Sequence, residues 1–199
     1  MPVAQDITRL SEADYLRLER QAEVRSEYFD GEMFAMAGGT REHSLIAINL
    51  AREVSNQLKA TNCVAYNTDL KVKVEATGLF TYPDVSVVCG DQRFLDEEED
   101  VLLNPNLVIE VPSDSTEAYD RGKKFEHYRQ IPSLREYLLT SQTEPRIELF
   151  SRQPNGEWNL KEAAGLDASL ELASLKITLR LAEVFAKVKF APVTLRRRT

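Results

Sequence analysis

Read from its periodicities, this 199-residue chain predicts an α/β or α+β fold, a mixed β-sheet flanked by helices. Two patterns point there. Apolar residues at helical spacing run from Arg41 to Lys59, and the strand-like segments that follow are interrupted by a further helix of the kind a crossover between strands requires. At 43% hydrophobic and 29% charged residues the composition is that of a globular core, and the length suits one domain. That domain is expected over residues 1–190, with 191–199 as a basic tail carrying Arg196-Arg197-Arg198.

Ser11 to about Gln21 reads as a short helix, with Ser11 as its cap and Tyr15, Leu16 and Leu18 supplying an apolar face. Asp30-Gly31 then separates Ser26–Phe29 from Glu32–Met36, the turn chemistry of a hairpin. After Gly38-Gly39-Thr40 comes the long helix, its apolar set being Leu45, Ile46, Ile48, Leu50, Val54 and Leu58. Leu70, Val72 and Val74 alternate with Lys71, Lys73 and Glu75, which predicts a half-buried strand over Asn67–Glu75. Strands are expected at Tyr82–Val88 and Asn106–Val111, and a helix opening at Thr116 stops before Ile131-Pro132. Arg135–Thr140, Arg146–Ser151 and Glu157–Glu162 complete the strands, and Leu179–Val188 reads as a closing helix.

Several function classes are disfavoured by composition. No run approaches the roughly 20 apolar residues of a membrane-spanning helix, and Met1–Leu10 lacks a secretory pattern, so a cytoplasmic address is expected. A formal charge of −7 argues against coating nucleic acid by charge alone, though a locally basic cleft remains open. Glu97-Glu98-Glu99-Asp100 reads as a solvated acidic loop. Cys63 and Cys89 lie far apart without neighbouring ligands and are expected as small buried hydrophobes, not as a disulfide or zinc site.

Chemistry is suggested by two lapses in apolar strands. Asp84 follows Pro83 at a strand entrance, and Glu110 is the one charge among Leu107, Val108, Ile109 and Val111. A carboxylate in such a run is costly unless a cation or donor meets it. If both side chains share a sheet face, their oxygens suit a hard cation such as Mg²⁺ or Mn²⁺, an aid to phosphodiester hydrolysis. On the following helix Asp120, Lys124 and Tyr128 form one stripe, and Lys124 at its buried border can extend toward Glu110, whereas Lys123 faces solvent. Taken singly, Asp84 could be a strand-start residue, Glu110 a structural ion-pair partner, and Asp120 with Lys124 a surface pair.

Glu27-Tyr28-Phe29-Asp30-Gly31-Glu32, His43, Tyr82-Pro83-Asp84-Val85, Glu110-Val111-Pro112-Ser113-Asp114-Ser115-Thr116 and Asp120-Arg121-Gly122-Lys123-Lys124 through Tyr128 together resemble the Uma2 family of PD-(D/E)XK restriction-endonuclease-like proteins. The resemblance covers about residues 10 to 190. It implies a restriction-endonuclease-like central mixed sheet flanked by helices and a metal-dependent DNA-cutting site. On this resemblance Asp84 and Glu110 are the acids, the Val111 carbonyl is a third metal ligand, and Lys124 replaces the lysine whose usual place, two after the acid, is held by Pro112. Pro112 and Asp114 also depart from the Leu and Pro of the family's Glu-Val-Leu-Ser-Pro-Ser-Thr. Glu27 and His43 match further family positions, as accessory ligands or positioners of water, although a lone His early in a helix is more often a capping or hydrogen-bonded structural residue than a catalyst and Glu27 could equally pair with an Arg such as Arg25 or Arg41.

The function expected is therefore a Mg²⁺- or Mn²⁺-dependent endonuclease acting on DNA, with Lys71, Lys73, Arg121 and Lys123 available for substrate contact. A homodimer would let one site per chain cut both strands. The competing expectation is a catalytically silent nucleic-acid-binding or regulatory module on the same scaffold.

Overall fold

The computed structural model describes residues 9–113 and 115–190; Asp114 and the basic tail lie outside the described residues. In chain order the elements are α1 (Glu12–Glu19), β1 (Ser26–Phe29), β2 (Glu32–Ala35), α2 (Arg41–Leu58), β3 (Cys63–Asn67), β4 (Lys71–Val74), β5 (Leu79–Thr81), β6 (Val85–Cys89), β7 (Val101–Leu102) and β8 (Leu107–Glu110). There follow α3 (Glu117–Tyr119), a π-helical turn (Asp120–Lys124), α4 (Phe125–Tyr128), β9 (Glu136–Thr140), β10 (Arg146–Arg152), β11 (Trp158–Ala164), β12 (Ser169–Leu172), β13 (Ile177–Arg180) and α5 (Leu181–Val184).

The strands form a six-stranded sheet in the order β11-β10-β9-β8-β6-β3, a five-stranded sheet in the order β2-β1-β5-β4-β7, and the hairpin β12-β13. β8 and β9 are parallel, joined through the α3–α4 crossover, while β6 pairs antiparallel with both β8 and β3. This is the mixed sheet that the periodicities predict.

Alternation along the strands decides what each face of the larger sheet meets. Val85, Val87, Leu107, Ile109 and Leu138 pack with Ile46, Leu50, Val54 and Leu58 of α2 and with the β12-β13 hairpin. The α2 residues recur every four positions on one stripe, and burying each stabilises by roughly 1.5–3 kcal/mol. Buried Asn49 on the same helix donates to the carbonyls of Val184 and Ala186 at 3.0 Å each, tying α5 down. On the opposite face Val88, Val108, Tyr137 and Leu139 meet Val72, Val74 and Leu79 of the five-stranded sheet, with Tyr128 and Leu134. The two sheets thus enclose a second core.

α1 covers the outer face of the five-stranded sheet. Ser11 caps it by accepting from the Asp14 N–H at 3.1 Å, and fully buried Tyr15 stacks on Tyr28 while donating to the Ser26 carbonyl at 2.7 Å. The β1-β2 turn places Asp30 and Gly31 at φ 49° and 86°, as its Asp-Gly sequence predicts.

Five expectations are corrected. Cys63 and Cys89 stand directly opposite in the β3-β6 register and form a disulfide, because antiparallel pairing closes a 26-residue separation that sequence spacing leaves open. Leu179–Val188 is not one helix: Ile177 and Leu179 face inward and Thr178 and Arg180 outward in β13, so only Leu181–Val184 is helical. The expected strands Asn67–Glu75 and Tyr82–Val88 are shorter, and Tyr82-Pro83-Asp84 is instead the link that carries the chain from β5 in one sheet to β6 in the other. The helix after Thr116 is interrupted by its π-helical turn. The acidic loop, finally, is not wholly solvated: Asp96 and Asp100 both bind Arg20 at 2.7 Å, and Asp100 also takes buried Lys71 at 2.8 Å.

Partial burial opposes ionisation of Asp100, but hydrogen bonds from Arg20 and Lys71 outweigh it and hold the carboxyl down to about 2. A folded-state value below the unfolded one stabilises above about pH 4 and is lost as pH falls toward 2. With the side chain 29% exposed, solvent screening limits the effect to on the order of 1 kcal/mol. Asp100→Asn is predicted to lower stability by about that much at pH 6, and the gap from the parent, followed by urea denaturation, should close between pH 4 and 2.

Candidate active site

Strand register brings the two acids together. Val85 pairs with Ile109 in the antiparallel β6-β8 ladder, so one step further Asp84 lies beside Glu110, both with the parity of Ser86 and Val108. Those side chains point toward the gap between the sheets. From the facing sheet Glu27 shares the parity of Phe29, and Thr81 that of Leu79; from the crossover come Asp120, Lys124 and Tyr128.

Lys124 is the centre of this group. Its Nζ lies 3.0 Å from Glu110 Oε1, 3.0 Å from Glu27 Oε1 and 3.7 Å from Asp120 Oδ1, with all four residues at least four-fifths buried. Tyr128 donates to the same Glu110 oxygen at 2.7 Å, Thr81 donates to Glu27, and the Tyr137 hydroxyl donates at 3.0 Å to the Asp120 carbonyl at the start of the π-helical turn. Such a turn widens the helix at a point where particular side chains are presented, and here the residues presented are Asp120 and Lys124.

Asp84 is held at both oxygens. Oδ2 accepts from the Val111 N–H at 2.8 Å, and Oδ1 lies 3.1 Å from His43 Nε2. His43 is in the first turn of α2, capped by Thr40, whose Oγ1 accepts from the His43 N–H at 3.0 Å. Gly39 is required beside it, since a Cβ there would sit 2.8 Å from His43 Nδ1. Gln142 joins these parts: its Oε1 accepts from Thr40 Oγ1 at 2.6 Å while its Nε2 donates to the carbonyls of Pro112 at 2.8 Å and Val111 at 3.3 Å.

The electrostatics follow from the crowding. Burial pushes the Glu110 carboxyl up to about 8; Lys124 opposes that, while Asp120, Asp84 and Glu27 add to it. Burial likewise raises Asp120. For Lys124, burial disfavours the charge, yet the carboxylates of Glu110, Glu27 and Asp120 outweigh it and hold the ammonium well above its ordinary range. His43 is raised chiefly by its hydrogen bond to Asp84. Acids outnumber cations here, and oxygen donors of this kind, the Asp84 and Glu110 carboxylates with the Val111 carbonyl, are the chemistry a hard divalent ion prefers. Among the described residues no three His, Cys, Asp or Glu side chains cluster as a complete ligand set.

All eight residues singled out from the sequence, Glu27, Asp84, Glu110, Val111, His43, Asp120, Lys124 and Tyr128, line or underlie one cleft. The predicted substrate-contacting cations behave differently. Lys71 and Lys73 point under α1 to Asp100 and Glu12, and Arg121 pairs with Glu117 and Glu148; only Lys123 lines the cleft. Glu27 pairs with Lys124, not with Arg25 or Arg41. Thr81, Tyr137 and Gln142 were missed, and Thr81 alone had a signal, as a polar residue ending the Leu79-Phe80 run before Tyr82-Pro83-Asp84.

Removing the central cation leaves its acids unbalanced. Lys124→Met should cost about 3 kcal/mol at pH 8 and less at pH 5, where the acids can take up protons; denaturant melts at both values check this.

Comparison with known proteins gives the site its setting. The model of the Uma2 family, described as "Putative restriction endonuclease", matches residues 12–182. Two uncharacterized proteins of Synechocystis sp. are similar along most of their length: slr1290 is 37% identical over 182 residues, covering 92% of this chain and 94% of the relative, and sll1609 is 33% identical over 168 residues, covering 84% and 95%. A crystal structure from Anabaena variabilis, titled as a "putative nuclease belonging to DUF820", superposes with a TM-score of 0.70 at 20% identity, covering 87% of this chain and 96% of that one. At that identity the likeness speaks to the fold, which is restriction-endonuclease-like. With the family model spanning most of its length, the chain belongs to the Uma2 family.

Proposed function

We propose that the cleft is the active site of a divalent-metal-dependent endonuclease that hydrolyses DNA phosphodiester bonds. The observation that carries this reading is the convergence of Asp84, Glu110 and Lys124, drawn from three separate elements, at the floor of one cleft. Mg²⁺ or Mn²⁺, held by Asp84, Glu110 and the Val111 carbonyl, would supply a polarised water and charge neutralisation at the scissile phosphate.

The remaining roles belong to side chains. The acids around Lys124 hold its ammonium well above its ordinary range, so it acts as a fixed positive charge toward the anionic phosphoryl oxygens and not as a base. Tyr128 and Lys124 bind the same oxygen of Glu110 and fix the direction of its other one. His43 and the Val111 N–H instead hold one oxygen each of Asp84 and so fix the orientation of the whole carboxylate, and Gln142 steadies the Val111 carbonyl.

A second reading, a silent nucleic-acid-binding module, is favoured by one observation: Lys124 is already bound to Glu110 and Glu27, so its charge is largely spent within the protein. The two readings separate in a plasmid-nicking assay with Mg²⁺ or Mn²⁺. The parent should nick, and Asp84→Asn, Glu110→Gln and Lys124→Met should each lose roughly a hundredfold or more while still melting cooperatively. Metal binding without turnover on any polymer would favour the module.

Mn²⁺ at about a hundred times its dissociation constant is predicted to stabilise the parent by about 2.7 kcal/mol, readable by thermal melting. Glu110→Gln should abolish most of that increment.

A further inference from the structure

The walls of the cleft differ from its floor. It encloses about 1250 Å³, above the roughly 300–1,000 Å³ typical of a small-ligand pocket, which favours a polymer over a metabolite. A duplex is held chiefly by Lys and Arg on its phosphates. Of the Lys and Arg residues lining this cleft among those described, Arg25 pairs with Asp69, Lys123 with Glu126, and Lys124 is buried at the floor.

Two exposed rings flank the floor instead. Phe34 stands directly across the β1-β2 hairpin from Glu27, so its ring lies on the same face as the carboxylate that binds Lys124, and it is 49% exposed. Tyr119, 39% exposed, immediately precedes Asp120 at the start of the π-helical turn. Both line the cleft, beside an uncharged stretch of α2 formed by Ser44, Ala47, Ile48 and Ala51. Aromatic faces with few free cations suit bases that are already unstacked, because every base offers a π-face and such contacts need no row of phosphate-binding lysines.

We infer that the cleft takes an unpaired DNA strand, its bases stacked on Phe34 and Tyr119 and its phosphate directed to the Asp84–Glu110 floor. The inference rests on the nuclease reading for the role of that floor. It goes beyond that reading in choosing single-stranded or locally melted DNA over duplex.

Anisotropy titrations of the full chain in Ca²⁺ with a labelled oligothymidine and with a duplex of the same length test it, alongside cleavage of both in Mg²⁺. The single strand is expected to bind at least about tenfold tighter, and Phe34→Ala and Tyr119→Ala should each weaken it about fivefold or more without shifting the melting temperature. Equal or tighter duplex binding, no binding to the single strand, or ring variants that bind like the parent would overturn the inference. Single-strand binding with ring dependence but no cleavage of any polymer would sustain the choice of occupant and refute the hydrolytic role of the floor.

Discussion

The burial of one ammonium group among carboxylates organises this molecule. Lys124 contacts acids supplied by both sheets and by its own helix, so its position is defined only when the five-stranded sheet, the six-stranded sheet and the crossover are all in place. Taking such charges out of water is expensive, and the cost is offset here by short ion pairs and by hydrogen bonds from Tyr128 and Thr81. A cluster of this kind contributes little net stability compared with apolar packing. Its presence at the junction of three elements is better understood as a site than as a fastening.

The rest of the architecture serves that junction. The β5-to-β6 link changes sheets at Tyr82-Pro83-Asp84, which leaves Asp84 at a strand entrance lining the cleft, while Glu110 ends the adjacent strand. Behind it, the apolar stripe of α2 fixes the helix against the larger sheet and so sets where His43 meets Asp84. Gln142, beyond the end of β9, bridges the start of α2 to the segment after Glu110, coupling two parts of the site through one amide.

Much of this was legible from residue patterns because the signals were local. Period-two and helical spacings, the Asp-Gly turn and single carboxylates in apolar strands are each set within a few residues; they placed Glu110 in its strand, while Asp84 falls on the link just before β6 and Lys124 in a π-helical turn of the expected helix. What escaped depended on register or on sheet assignment. The Cys63–Cys89 bond needs the β3-β6 pairing, the burial of Lys71 and Lys73 needs α1 laid across the five-stranded sheet, and the roles of Gln142 and Tyr137 need contacts between segments far apart in sequence. In the β12-β13 hairpin, the second strand, Ile177–Arg180, overlaps the apolar run that also fits a helix, and four-residue Ser169–Leu172 is a strand only through its pairing with it.

The central claim is that these acids are assembled to hold a divalent ion. An anomalous difference map from crystals soaked in Mn²⁺ tests it most directly. The account predicts a peak within roughly 2.0–2.6 Å of carboxylate oxygens of both Asp84 and Glu110. A map with no peak there, or with Mn²⁺ bound only elsewhere, would contradict it.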